Sequence, residues 1–246
     1  MYRAIQTKLI RLRKYALHYK ESAEPAGFFY EVNMKRTAVL VDGGFYRPRI
    51  YSLTGDKPPE DRAAELEEYC LKHINTDTED RELYRVFYYD CMPSRKKIYH
   101  PKNKIQVDLG QSPLYQWMCQ FIEELKNKRK FALRLGELSE EQLGYKLKTD
   151  ALKRLYNGRT TLEELSDSDF ELNIQQKGVD MKIGIDIASL AYKKQVDQII
   201  LISGDSDFVP AAKLARREGI DFVLDPMLAD IKDNLREHID GIETFV

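Results

Sequence analysis

An α/β fold with an open, mostly parallel sheet and helices on both faces follows from three features of the 246-residue chain. Short, continuously apolar runs recur along it, stretches with helical apolar spacing separate them, and turn residues or aspartates close several runs. A strand buried on both faces of a parallel sheet reads as an unbroken apolar run, whereas a half-exposed strand alternates. Runs of this kind alternating with helices are the mark of βαβ units.

The first strand spans residues 37–41 (TAVLV) and ends in Asp42-Gly43-Gly44. Pro58-Pro59 marks a loop. Residues 60–74 then carry Ala64, Leu66, Tyr69 and Leu71 at roughly helical spacing among charges. A second strand, residues 85–89, ends at Asp90. Residues 94–104 are strongly basic, with Arg95, Lys96, Lys97, Lys102 and Lys104 around Tyr99 and His100. A helix through Tyr115, Trp117, Met118, Phe121, Ile122 and Leu125 supplies core residues and ends in the basic run 126–130. Residues 131–135 form a strand stopped by Gly136. Residues 139–172 read as an inserted, mixed-charge excursion with an Asn157-Gly158 turn. The last third predicts a helix over 181–194, a strand over 198–203 and a tight turn at Gly204–Asp207. A helix over 208–218 with Gly219 as its cap, a strand over 220–224 and a helix near 228–238 complete it.

Composition narrows the function classes. Hydrophobic residues make up 43% of the chain, enough for a buried core. The charged fraction of 32% cancels to a formal net charge of −1, so any nucleic-acid surface must be local. Cys70, Cys91 and Cys119 are isolated, which suits a reduced, cytoplasmic setting and neither a disulfide framework nor a zinc site. The four histidines are scattered, and no apolar run is long enough to span a bilayer. Residues 1–33 stand apart from the domain expected over 34–246. The first 20 are basic and lack the apolar core and cleavage site of a secretory signal. Met34-Lys35-Arg36 opens directly into the first strand as a translation start would, and Glu31-Val32-Asn33 can be encoded by a ribosome-binding sequence. The expectation is an upstream extension that is not native.

In open α/β sheets, ligands bind beyond the carboxyl ends of the strands, near the point where strand order reverses. Asp42 ends the first strand, Asp205 and Asp207 follow a later one, and Asp180 stands near the start of the helix between them. Carboxylates converging there repel one another unless a cation neutralises them, and oxygen-only ligands favour Mg2+ or Mn2+. Such an ion orients and acidifies a water and stabilises charge on a phosphodiester. Each aspartate also has a plain alternative. Asp-Gly-Gly after a strand is often a turn, and an aspartate at a helix start is often a cap. Two acids in the three residues 205–207 exceed what one cap needs. Asp186 reads either as a further ligand or as an exposed acid beside Ile183, Ile187 and Leu190, and Asp225, before Pro226, as a turn residue.

Three segments together resemble the NYN domains of the PIN-like nuclease superfamily, with the nearest likeness in the LabA-like branch. They are Val39-Leu-Val-Asp42-Gly-Gly, Lys177-Gly-Val-Asp180-Met-Lys-Ile-Gly-Ile-Asp186 and Ser203-Gly-Asp205-Ser-Asp207-Phe. Any one alone is a weak signal; the three in this order are specific, and the likeness spans about residues 35–230. It implies a Rossmann-like three-layer PIN-like fold, an acidic divalent-metal site and cleavage of RNA. Position by position it nominates Asp42, Asp180, Asp205 and Asp207 as catalytic metal ligands, with Asp186 as a further ligand. Phe45 departs from the pattern, since many relatives carry Asn there.

A polyanionic substrate needs positive charge. Arg95, Lys96 and Lys97 are the candidates in the basic stretch, against the alternative of a solvated loop. Lys177 lies beside Asp180, and Ser203 and Ser206 flank the acidic turn; all three join the expected substrate contacts. RNA is the expected partner, DNA and a homo-oligomer stay open, and no membrane is expected. Two rival readings are an RNA-binding regulatory module without turnover, which Phe45 permits, and a haloacid-dehalogenase-type phosphatase. The latter wants an acid two residues after Asp42, where Gly44 stands.

Overall fold

The predicted alternation is present in the computed structural model, which describes residues 34–141 and 143–246. The expected extension, 1–33, lies outside the described residues. β1 (Lys35–Asp42) runs straight into α1 (Gly43–Thr54), followed by α2 (Pro59–Ile74) and β2 (Arg81–Cys91). A hairpin of β3 (Lys97–His100) and β4 (Ile105–Asp108) precedes α3 (Pro113–Lys126) and β5 (Phe131–Leu138). The excursion contains β6 (Gly144–Leu147), α4 (Thr149–Tyr156) and β7 (Phe170–Asn173), with β6 and β7 paired antiparallel. β8 (Gln176–Lys177), α5 (Val179–Tyr192), β9 (Gln198–Ile202), α6 (Val209–Arg217), β10 (Asp221–Asp225), α7 (Asp233–Arg236) and β11 (Gly241–Ile242) complete the chain.

Seven strands form the central sheet in the order β11-β10-β9-β1-β2-β5-β8. All pairs are parallel except β5 with the short β8. From β1 the chain builds outward through β2 and β5, then returns to lay β9 on the other flank of β1 and builds outward again. The reversal therefore lies between β1 and β9, where Val41 pairs with Ile202. Side chains of β1 alternate between two cores. Ala38 and Leu40 pack with α5 and α6 residues such as Ile183, Ile187 and Ala212. Val39 and Val41 pack with Tyr46, Leu66 and Phe121 from α1, α2 and α3. Burial on both faces explains the unbroken apolar run of β1.

Four elements depart from the sequence expectation. Residues 43–54 form a helix rather than a turn: Gly43, Gly44 and Pro48 are poor helix residues, but burial of Tyr46 and Ile50 overrides propensity. Gly136 does not stop β5; the strand runs through it, and a Cβ there would meet Lys177 O at 2.7 Å. The basic stretch is part of a hairpin rather than a loop. The last helix shrinks to Asp233–Arg236, because Met227 and Leu228 take positive φ values of 47° and 64°.

Asp225 ends β10 and leads into the expected turn, and it does more than a turn requires. This buried carboxylate accepts hydrogen bonds from the Tyr69 hydroxyl, Met227 N (2.8 Å) and Thr244 Oγ1 (2.8 Å), and pairs with His73 Nε2 at 2.8 Å. Ser203 N donates to Asp225 O at 3.2 Å. The pinned end of β10 thus supports the loop that carries the acidic turn.

Candidate active site at the carboxyl edge of the sheet

Asp42 is the last residue of β1 and also caps α1. Its Oδ1 accepts from Phe45 N at 3.2 Å, and its Oδ2 from Ser203 Oγ at 3.1 Å, which ties the two strands at the reversal point together. The cap reading therefore holds, yet a carboxylate has about four lone-pair sites, so two hydrogen bonds leave room for a ligand role. Ser203 is buried, and its Oγ in turn accepts from Asp205 N at 3.3 Å. Asp205 caps the short 3-10 turn Ser206–Phe208 by accepting from Asp207 N at 2.9 Å. Asp180 lies in the first turn of α5, after Gly178 at φ 77°. Asp180, Asp205 and Asp207 are exposed, while Asp42 is buried.

Asp42 and Asp180 register the charge of their neighbours. Burial pushes the Asp42 carboxyl above the ordinary carboxylate range; the Phe45 amide and Ser203 hydroxyl oppose this, and the charge of Asp180 adds to it. Asp180 is likewise raised by burial and then by the charges of Asp205 and Asp207. Among the described residues none of the four is ion-paired. Among them, too, no group of three or more His, Cys, Asp or Glu side chains is gathered closely enough to hold a metal ion. The cluster is thus held within electrostatic reach, but not at common ligating distance. Its donor set is entirely oxygen, and its charge is uncompensated; both fit a hard divalent cation.

The other candidate residues have diverse placements. Asp186, two turns along α5, accepts from the Tyr89 hydroxyl and from Arg134 Nε, both at 2.9 Å. That partnership occupies it apart from the four-carboxylate cluster. Lys177 projects from β8 and is exposed; its backbone pairs with Glu137. Ser206, between the two acids of the turn, accepts from Lys232 Nζ at 3.1 Å. The basic stretch is engaged locally: Arg95 lies over the Tyr115 ring and donates to its hydroxyl, Lys96 donates to Glu140 O, and Lys97 pairs with Asp108 at 3.5 Å.

Phe45, where the sequence departs from the NYN pattern, packs against Gly204, and a Cβ there would stand 2.8 Å from its ring. Other residues at this edge were not among the sequence candidates. Lys232 brings a cation to the turn from a segment expected to be helical. Asp90 is fully buried and accepts from Arg47 Nε (2.7 Å) and Nη2 (3.1 Å), the Tyr88 hydroxyl (2.8 Å) and Gln176 Nε2 (3.1 Å). Its place at a strand end was visible in the sequence. Arg47 and Gln176 gave no signal, because α1 and β8 were themselves unforeseen.

An α/β domain with a mostly parallel sheet and an uncompensated carboxylate cluster at the reversal point is the class that fold and site define. The NYN domain family model matches residues 116–239, just over half of the chain. The chain belongs to the NYN domain family, which resembles PIN-like nucleases. The match contains Lys177, Asp180, Ser203, Asp205 and Asp207, whereas Asp42 precedes it. No curated protein matches the chain. A crystal structure of a protein of unknown function from Vibrio parahaemolyticus is similar over 85% of this chain and 93% of that one, with 13% identity and a TM-score of 0.43. Similarity of that degree transfers neither function nor detailed fold. Among the described residues no helix is long and apolar enough to cross a membrane.

Proposed function

We propose that the protein is a divalent-metal-dependent ribonuclease of Rossmann-like, PIN-like build, related to the LabA-like branch. One observation carries this reading: four carboxylates from β1, α5 and the loop after β9 lie within electrostatic reach near the reversal point, and among the described residues none of them is ion-paired. Asp42, Asp180, Asp205 and Asp207 would hold Mg2+ or Mn2+, and Asp186 stays with Arg134. When bound, the ion supplies an acidified water and charge stabilisation at a phosphodiester. Asp42, fixed by Phe45 N and Ser203 Oγ, is the rigid member; Asp205 is held by its cap bond to Asp207 N, and the exposed Asp180 and Asp207 would adjust their rotamers towards an ion. In this reading Lys232, beside Ser206, and the exposed Lys177, three residues before Asp180 in sequence, would hold phosphate oxygens.

The second reading, an RNA-binding module without turnover, draws on Phe45, which sets an apolar ring where many relatives carry a polar side chain. Cleavage of labelled RNA with Mn2+, Mg2+ or EDTA, by wild type and Asp205→Asn, separates the two. The ribonuclease reading expects metal-dependent cutting, with a loss in the variant of about a hundredfold or more. Bound but uncut RNA would favour the module. Phosphate release from small phosphomonoesters without RNA cutting would favour a phosphatase.

A further inference from the structure

We infer that the cleft between α1, α3 and the β7–β8 segment receives one nucleobase of the strand that is cut, next to the acidic edge. The identity of the ligand rests on the proposed nuclease reading; the cleft itself does not. Two neighbouring cavities of about 740 Å3 and about 300 Å3 share Arg47, Leu114, Ile174 and Gln176 in their walls. Pro48, Leu114, Trp117 and Ile174 give the cleft apolar walls, and Leu114 and Ile174 stay exposed. Apolar walls with a few fixed polar groups are what a flat heteroaromatic ring requires.

The polar groups are anchored on a buried carboxylate. Asp90, itself fully buried, holds the Arg47 guanidinium through two hydrogen bonds and the Gln176 amide through a third. Its charge is matched by Arg47, so this carboxylate does not repel the phosphates that flank a base. Gln176 Nε2 is spent on Asp90, while among the described residues no hydrogen bond reaches Gln176 Oε1. That leaves an oriented acceptor for a base N–H.

Position links the cleft to the carboxylates. A Cβ built at Gly44 would lie 3.3 Å from Asp42 Oδ1 and 3.4 Å from Gln176 Oε1, so both oxygens border the same glycine. A phosphodiester lying at Asp42 would bring its neighbouring base to Gly44 and the mouth of the cleft. Glycine at residue 44 adds no Cβ between the two.

The test places a single 2-aminopurine at successive positions of a short RNA and follows its emission as Asp205→Asn protein is added. The expected result is a change confined to one position beside the scissile bond. Leu114→Glu and Ile174→Glu, each combined with Asp205→Asn, should abolish that change and weaken RNA binding about tenfold, in line with the loss of one stacked base. Both positions are exposed, and circular dichroism checks that each variant folds. In the wild-type enzyme, removing the base at that position should lower kcat/KM by a similar factor. Equal emission changes at all positions, or unchanged behaviour in both variants, would overturn the inference. So would an equally strong response from a free 2-aminopurine nucleotide. A single-position response in a protein that never cuts would uphold the base site and remove the nuclease reading alone. Cutting without a positional response would do the reverse.

Discussion

At the residue scale, Asp42 sets function against stability. Its carboxyl is raised above the ordinary range by burial, with a contribution from the charge of Asp180. A carboxyl raised in the folded state contributes stability below its unfolded pKa, and that contribution is lost as pH rises through the folded value. At neutral pH, without metal, ionised Asp42 therefore costs stability. Asp42→Asn keeps an acceptor for Phe45 N and removes the charge. We expect the metal-free variant to melt higher than wild type by a few degrees, about 2–4 °C for each kcal/mol gained. Added Mn2+ should raise the melting temperature of wild type but not of the variant. A lower melting temperature for metal-free Asp42→Asn would show that its hydrogen bonds outweigh the charge. The Gly43 position shows the opposite constraint. A Cβ there would sit 2.5 Å from the Tyr88 hydroxyl, 2.6 Å from Asp90 Oδ2 and 2.6 Å from Tyr89 O. Gly43→Ala should destabilise by about 1–3 kcal/mol, as overpacking does, read by urea denaturation.

At the scale of elements, the strands were legible because burial on both faces leaves a plain apolar signature, and β1, β2, β9 and β10 fall where such runs predict. The acidic turn was legible because two acids in three residues exceed the needs of a cap. What stayed hidden depends on contacts distant in sequence. α1 exists through the packing of Tyr46 and Ile50, β8 through pairing with β5, and β11 through pairing with β10. The C-terminal segment is another such case. Arg81 binds Glu243 through Nη1 and Nη2 at 2.7 Å each, and the Phe245 ring meets His73 edge-on at 4.8 Å. The Arg81 and His73 partners hold the Glu243 carboxyl down at about 2. For His73, burial alone would lower the pKa, but Asp225 and Glu243 raise it. Glu243 thus contributes stability that is present above its unfolded pKa and lost as pH falls through about 2. The His73 contribution is full below its unfolded pKa and lost as pH rises through the raised folded value. Glu243→Gln should lower the melting temperature at pH 6 and converge with wild type near pH 2; a constant gap across that range would contradict the pairing.

Across the whole molecule, the formal net charge of −1 means that substrate attraction is local. Lys232 stands at the acidic turn, whereas Arg95, Lys96 and Lys97 are occupied around the excursion and the hairpin. RNA affinity should therefore fall only modestly with salt, because few phosphates are neutralised, and Lys232→Ala should reduce the slope of log affinity against log salt by about 1. An unchanged slope would remove Lys232 from the substrate path. The central claim, that Asp42, Asp180, Asp205 and Asp207 form one metal-binding centre, is met most directly by calorimetric titration of Mn2+ into wild type and Asp180→Asn. Saturable binding is expected in wild type, lost or weakened at least about tenfold in the variant. Equal binding by both proteins, or none by wild type, would contradict it.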